Sequence, residues 1–563
     1  MHDLKIPVLV VGGGPVGMLA SLLLSQQGIA NNVVERRSGP QRAPAAHVLN
    51  ARSFEIFRAT GLDMTKIMSA SLDPKEAGYA IWKTRLAGEE LGRHVFERQL
   101  EECLYYTPTP LRNLSQHRLE PLLRDEVDAT HSAELRYGHQ WESAVQDADG
   151  VTSTIRDLDS DRTYELRSQT LIGADGAGSR VRSWLGIEMN GPPKIESFMM
   201  IHIAADLRRL IGERPGVLYW LMDPESGGGT FVSHGPDREW VYMTPFDSDN
   251  ETIDDFDDSR CRRLVTTALG TDEVPFEVLD RGTWIMSAQI AESMQEQRVF
   301  LAGDAAHRFP PTGGLGLNSG FQDVQNLAWK LRAANEGWAS EKILESYETE
   351  RLPVAHNNAE QSLKNAMKTL TVPQALGIHE NPTTERMKAT LQDPDGRERV
   401  ERAIADQAEH FDMLGLQLGY VYDGGVVVPD GTTGAESSNP VRLFVPSSRP
   451  GARLPHAWLE REDVRISTLD LIRHDGLTLL TGPDAGNWAA AAEAIRSVPM
   501  FHVAIDDEIR DVDGHWAAVC EIGPGGALLV RPDQHIAWRV LEAPPDPAAS
   551  LAAAIAALLW PSN

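Results

Sequence analysis

The densest chemistry in the sequence lies near its start. The stretch VLVVGGGPVG places Gly12, Gly14 and Gly17 in the pattern G-x-G-x-x-G, with Pro15 inside it. Glycine there permits a tight turn and lets a pyrophosphate approach the peptide N–H groups of a helix N-terminus. Glu35 follows eighteen residues after Gly17, where a carboxylate can accept hydrogen bonds from both hydroxyls of an adenosine ribose. The pattern requires an adenine dinucleotide without choosing among them. Its bland alternative is a turn that serves only helix–strand packing.

Two further segments carry chemistry. LIGADGAGSRVR holds Asp175, Gly176, Ser179 and Arg182. RVFLAGDAAHRFPPTGGLGLNSG holds Gly303, Asp304, His307, Pro310, Pro311, Gly313, Gly314, Gly316, Leu317 and Asn318. Asp-Gly or Gly-Asp alone is an ordinary turn, so the arrangement is what informs. A strand delivers Asp304 to the C-terminal edge of a sheet, where a carboxylate suits a polyhydroxyl chain such as ribityl. The following loop presents backbone N–H groups at a helix N-terminus, a place that stabilises negative charge on a reduced ring. Trp220, Tyr242 and Trp284 alternate with apolar neighbours and either wall an aromatic substrate or fill a core.

These residues need a scaffold. Residues 6–11 form a buried parallel strand, 15–27 a helix ended by Gly28, and 32–34 the start of a second strand, which opens a doubly wound α/β sheet. Residues 42–60 run as a loop into a helix, and 115–126 as a helix with a serine at its cap. From about 190 to 295, alternating stretches such as GVLYWLM and REWVYMTPF, broken by Gly, Pro and Asp, predict an antiparallel sheet. Helical patterning follows Asn318. A turn-rich linker spans about 425–455, and the last hundred residues read as a compact α/β unit.

The bulk numbers narrow the classes. A chain of 563 residues with 42% hydrophobic and 24% charged residues is globular and needs two or three domains. Its 53 basic against 81 acidic residues leave a net charge of −28, which disfavours nucleic acid and anionic membrane. Three scattered cysteines, Cys103, Cys261 and Cys520, make neither a metal site nor a disulfide framework and suit a reducing cytoplasm. No uninterrupted apolar run is long enough for a membrane span.

The three motifs in this order resemble the group A FAD-dependent aromatic hydroxylases of the p-hydroxybenzoate hydroxylase fold. The length and extra C-terminal unit are similar to the phenol, hydroxybiphenyl and polyketide hydroxylase branch. The resemblance implies an α/β and α+β molecule: a Rossmann-like FAD-binding domain over 1–188 and 288–371, a substrate-binding sheet over 189–287, a helical segment and linker over 372–445, and a thioredoxin-like domain without redox cysteines over 446–563. It implies that Gly12, Gly14, Pro15, Gly17, Glu35, Arg36, Gln116 and Asp175 contact FAD, that Gly303 and Asp304 serve the ribityl chain, and that Pro311, Gly314, Gly316, Leu317 and Asn318 lie at the flavin ring. Pro310, Trp220, Tyr242 and Trp284 would meet the substrate.

His47, in APAAHVLNARSFEIFR, matches a histidine that faces the substrate pocket in this branch. It is either a base for a phenol proton or a histidine that bonds a loop. The family's arginine is displaced to Arg42 here, so Arg42 and Arg52 both stand as candidates for a cofactor contact. Gln297 occupies a position where relatives commonly have glycine. The implied activity is NADH- or NADPH-driven hydroxylation of a phenolic or other electron-rich ring with dioxygen, through a flavin hydroperoxide, in a possible homodimer. An oxygenase of a polyketide-like substrate and a non-catalytic FAD-fold binder are the alternatives.

Overall fold

The strand Leu4–Val11 sits inside an eight-stranded sheet, parallel to Asn31–Glu35 on one side and to Arg162–Gly173 on the other. Val8, Leu9, Val10 and Val11 are all buried. An unalternating aliphatic run is what a strand covered on both faces requires. The computed structural model describes residues 4–484 and 486–560. Val299–Leu301 extends the parallel set beyond Arg162–Gly173, so Asp304 emerges at the same sheet edge as the Gly12–Gly17 turn.

Two helices pack on this sheet beside the turn. Pro15–Gln26 starts with proline at its first position, where the missing N–H costs nothing. Leu315–Asn335 crosses it so closely that a Cβ on Gly320 would lie 2.6 Å from Val16 Cγ2. At Gly12, with φ of +109°, a Cβ would fall 2.3 Å from the Ala174 carbonyl oxygen.

The second sheet has seven strands in the order Glu277–Met286, Glu196–Ala204, Glu239–Pro245, Thr230–Gly235, Leu218–Leu221, Tyr79–Lys83, Glu90–Val95. Its last two strands come from residues 79–95, far outside the expected 189–287 span. Leu218–Leu221 pairs with Tyr79–Lys83 in parallel, so the sheet is mixed and not wholly antiparallel. One face, with Ile201, Tyr219, Trp240 and Tyr242, packs on the helix Asp258–Leu269. The opposite face turns toward the first sheet. Helices Thr384–Gln392, Pro394–Ala405 and Ala408–Phe411 cover its end, packing around Trp82, Phe96 and Phe411.

The C-terminal sheet runs Met500–Ala504, Leu477–Thr481, Ala527–Val530, Ile536–Val540, with the first pair parallel and the others antiparallel. Helices Trp488–Ala494, His515–Cys520 and Pro547–Leu559 complete a thioredoxin-like arrangement. Cys520 in it is buried and free. Buried hydrogen bonds from arginine join this unit to the first: Arg453 Nε donates to the Glu55 carboxylate at 2.8 Å, and Arg52 Nη1 to the Gln534 amide oxygen at 2.6 Å. Among the described residues no helix is long and apolar enough to cross a membrane, and no acidic, histidine and cysteine cluster could hold a metal ion.

Candidate active site

A groove of about 320 Å³ runs along the C-terminal edge of the first sheet. Gly12, Gly14, Pro15, Glu35, Arg36, Gln116, Asp175, Asp304 and Leu317 line it, with Arg37 and Arg180 adding positive charge. Gly14 opens into this space: the nearest atom to a Cβ there is Arg37 Nη2 at 4.0 Å. Gly17 is the packing glycine, whose Cβ would strike the Gly12 carbonyl at 1.9 Å. The Glu35 carboxylate accepts from Gly13 N at 2.7 Å and Arg37 N at 2.8 Å, which fixes it at the groove wall. Gln116 Nε2 donates to Glu120 at 2.7 Å. Asp175 is occupied by the next helix, accepting from Ser179 Oγ at 2.6 Å and Arg180 N at 2.7 Å.

Asp304 is open on its groove side, and the protein packed around it raises its carboxyl above the usual range, with the charges of His307 and Arg308 offsetting part of that. His307 is fully buried and bonds Asp323 at 2.7 Å.

A second space of about 310 Å³ lies between the free face of the seven-stranded sheet and the loop 309–317. It shares Ala46, Asp304 and Leu317 with the groove, so the two communicate. Met200, Leu218, Trp220, Val232, Val241, Met243 and Trp284 give it apolar walls, and Pro310, Pro311, Gly314 and Gly316 line the loop side.

Some expected contacts lie elsewhere. Tyr242 is fully buried on the far face, with its hydroxyl on the Ser226 carbonyl. Strand parity explains the difference: Val241 and Met243 point into the cavity, so Tyr242 between them must point away. Arg42 is exposed and does not line the groove. Arg52 is buried among Glu55, Gln325 and Gln534. Asn318 is 1% exposed and ties helix to loop, accepting from Asn50 N at 3.0 Å and Ser53 Oγ at 2.6 Å. Gly303 is buried beneath the groove, donating to Asp323 at 3.1 Å. Asn318 and Gly303 line neither space.

His47 reaches the cavity from a two-stranded ribbon, Val48–Leu49 against Arg112–Asn113. The His47 carbonyl accepts from Leu114 N at 2.7 Å, and its Nδ1 lies 3.1 Å from Asn113 Oδ1. That contact makes Nδ1 the protonated nitrogen and leaves Nε2 as the acceptor. Burial pushes the imidazole down to about 4, with the Asn113 bond pulling the other way. The His234 ring stands edge-on at 5.6 Å, and its Nδ1 bonds the Ser115 hydroxyl. Ser115 therefore caps its helix without a side-chain bond to the backbone. His234, Glu97 and His410 escape motif reading, because they stand alone in the sequence and meet only in the folded chain, whereas Arg37 directly follows Glu35 and Arg36.

The residues present fit an FAD molecule: open space at Gly14, a carboxylate on the groove wall at Glu35, cationic side chains along the groove, and a carboxylate exposed at Asp304. The family model described as FAD binding domain matches residues 5–362, and that described as aromatic-ring hydroxylase, C-terminal, matches 447–560. The 2,4-dichlorophenol 6-monooxygenase of Delftia acidovorans is 33% identical over 96% of this chain and 95% of its own. The tetracenomycin A2 monooxygenase-dioxygenase of Streptomyces glaucescens is 33% identical over 99% of this chain and 98% of its own. The flavin-dependent monooxygenase PieE, solved with FAD and substrate, superposes with a TM-score of 0.95 at 35% identity, each chain fully covered. Motif, groove and full-length kinship agree, and the chain belongs to the FAD-binding aromatic-ring hydroxylases as a flavin-dependent monooxygenase.

Proposed function

We propose that the protein hydroxylates an electron-rich aromatic hydroxy compound held between the seven-stranded sheet and the loop 309–317. The observation that carries this reading is the apolar cavity, with His47 in its wall, opening into the dinucleotide groove at Ala46, Asp304 and Leu317. FAD, when bound, supplies oxygen activation, with NADH or NADPH as electron donor. Gly12, Gly14 and the N-terminus of Pro15–Gln26 would hold its pyrophosphate, and Glu35 its ribose, with Arg36, Arg37 and Gln116 alongside. Asp304 would hold the ribityl chain, and Gly314, Gly316 and Leu317 the ring. The apolar walls exclude water from the reacting atoms.

His47 is the residue for the substrate hydroxyl. Moving a proton from a phenol, pKa about 10, to an imidazole held near 4 costs on the order of 8 kcal/mol before any ion-pair attraction. His47 Nε2 therefore accepts a hydrogen bond in the ground state and takes the proton as positive charge develops on the ring. The same reading assigns 1–188 and 288–371, less the strands at 79–95, to the cofactor, and 189–287 with those strands to the substrate. It assigns 372–445 to a roof over the cavity, and 446–563 to the thioredoxin-like unit. It places the protein in a reducing cytoplasm, where three buried unpaired cysteines stay thiols.

The test is NADH and NADPH oxidation by FAD-loaded protein across a panel of phenols under labelled dioxygen. A product carrying one labelled oxygen is expected. Peroxide without product from every phenol would sink the reading. Oxygenation of a polycyclic polyketide is the second reading, favoured by a cavity whose wall carries a second polar group, Glu97, besides His47.

A further inference from the structure

His47 lines the cavity, and an unused carboxyl occupies another part of its wall. Glu97 follows the strand Glu90–Val95 by two residues, is 4% exposed and lines the cavity. Its φ of +54° is a left-handed conformation that side chains rarely adopt, held by a bond from Glu97 N to the Phe411 carbonyl at 2.6 Å. Oε2 accepts from Met413 N and from Gln417 Nε2, both at 3.1 Å. Oε1 has no partner among the described residues, and no cation pairs with the group. The neighbouring Arg98 is committed to Asp412 at 2.9 Å.

Burial pushes the Glu97 carboxyl up to about 8, the Met413 bond opposes that, and the Asp412 charge adds to it. The side chain is therefore mainly neutral at pH 7. Because Oε2 already accepts two N–H bonds, the proton belongs on Oε1, which makes that oxygen a donor. Trp220 and His410 line the same cavity, with rings 6.1 Å apart, but Trp220 Nε1 and His410 Nδ1 are buried away from its open space. Glu97 Oε1 thus brings unused hydrogen-bonding capacity to a wall that is largely apolar.

We propose that Glu97 is a recognition subsite for a second oxygen, carbonyl or hydroxyl, on the aromatic substrate, besides the hydroxyl that His47 takes. The inference rests on the reading that His47 takes the substrate hydroxyl. It narrows the substrate class to aromatic compounds that carry a second oxygen. Glu97 also anchors the segment 411–417, so the test must separate recognition from scaffolding.

A matched pair of probes does this: 4-hydroxybiphenyl, and 4,4′-dihydroxybiphenyl with a second hydroxyl on the same skeleton. Dissociation constants come from perturbation of the flavin absorbance of the FAD-loaded protein. The wild type is expected to bind the dihydroxy compound about tenfold more tightly, one good buried hydrogen bond. Glu97→Leu should erase that preference and leave 4-hydroxybiphenyl within about twofold, whereas Glu97→Gln should keep most of it. Equal binding of the pair by the wild type, or parallel weakening of both by Glu97→Leu, overturns the subsite.

If Glu97→Leu does not fold, infrared spectroscopy replaces it. A protonated-carboxyl carbonyl band at pH 7, absent in Glu97→Gln, should shift with the dihydroxy probe and not with the other. An unmoved band overturns the proposal. Should neither probe perturb the flavin or stimulate NADH or NADPH oxidation, the aromatic-substrate reading itself fails, and the subsite falls with it.

Discussion

At the scale of single residues, the site separates glycines that shape the chain from a glycine that leaves room. Gly14 has φ of −76° and no protein atom nearer than 4.0 Å to a Cβ. Gly14→Ala should therefore fold with apo stability within about 0.5 kcal/mol of wild type and lose FAD affinity, as measured by flavin fluorescence titration. Unchanged FAD affinity would mean that no pyrophosphate sits there. Gly12→Ala must instead collide with the Ala174 carbonyl at a positive φ, so its damage would show in stability even without cofactor. His47 makes a pH prediction. Its imidazole is held near 4, so it is neutral from pH 5.5 upward and becomes cationic only as pH falls toward 4. The kcat/KM profile should show no His47-dependent limb near 6.5, and His47→Ala should lower kcat/KM by about 10²-fold without changing FAD binding. An inflection near 6.5 that disappears in His47→Gln would contradict this placement.

At the scale of elements, the departure at Gln297 has a local cause. The residue lies in the hairpin between Gln295–Glu296 and Val299–Leu301, at φ of +53°. Glycine is the residue such a turn prefers, and a side chain there costs roughly 1–2 kcal/mol. Gln297→Gly loses part of that gain to unfolded-chain entropy, so a net stabilisation of about 0.5–1 kcal/mol is expected. Thermal unfolding of the FAD-loaded protein would measure it, and a lower Tm would refute it. The hairpin is remote from the groove, so activity should stay at the wild-type level.

At the scale of the whole molecule, the thioredoxin-like unit is held by buried charge as well as by apolar packing. Glu55 is bonded by Arg52 and Arg453, all with fully buried side chains. Glu350 is bonded by Lys330 and Arg531, and Arg531 also bonds Asp533. Burial alone would raise the Glu55 carboxyl, but the two guanidinium groups bring it below the usual range. Glu55→Gln leaves cations uncompensated in the interior, a loss of about 3–5 kcal/mol. Denaturant unfolding should show it, together with faster proteolysis in the segment 425–455; a stability change below about 1 kcal/mol would rule the network out as a tether. The carboxyls of Glu55 and Glu350 are depressed, Glu350 to about 2. Their contribution is thus complete above the unfolded carboxyl range, near 4.5, and is lost as pH falls through the folded values. Acid should loosen this junction.

The sequence by itself determined the dinucleotide edge of the molecule. Gly12, Gly14, Gly17 and Glu35 belong to one strand–turn–helix–strand unit, and local backbone geometry dictates both their types and their spacing. It also determined the order of sheets, because aliphatic runs and alternating runs differ in period. The tertiary structure alone decided the cavity. Whether Trp220 and Val241 face the cavity while Tyr242 faces the core depends on which side of the sheet is covered, and parity assigns faces only once a partner layer is known. The strands at residues 79–95 joined the second sheet through a long-range parallel pairing that no local pattern encodes. His47 and Glu97 owe their neutral states to burial by segments hundreds of residues away. Charge state in a cavity is set by the low-dielectric surroundings that the whole fold assembles, and no single stretch of chain contains them.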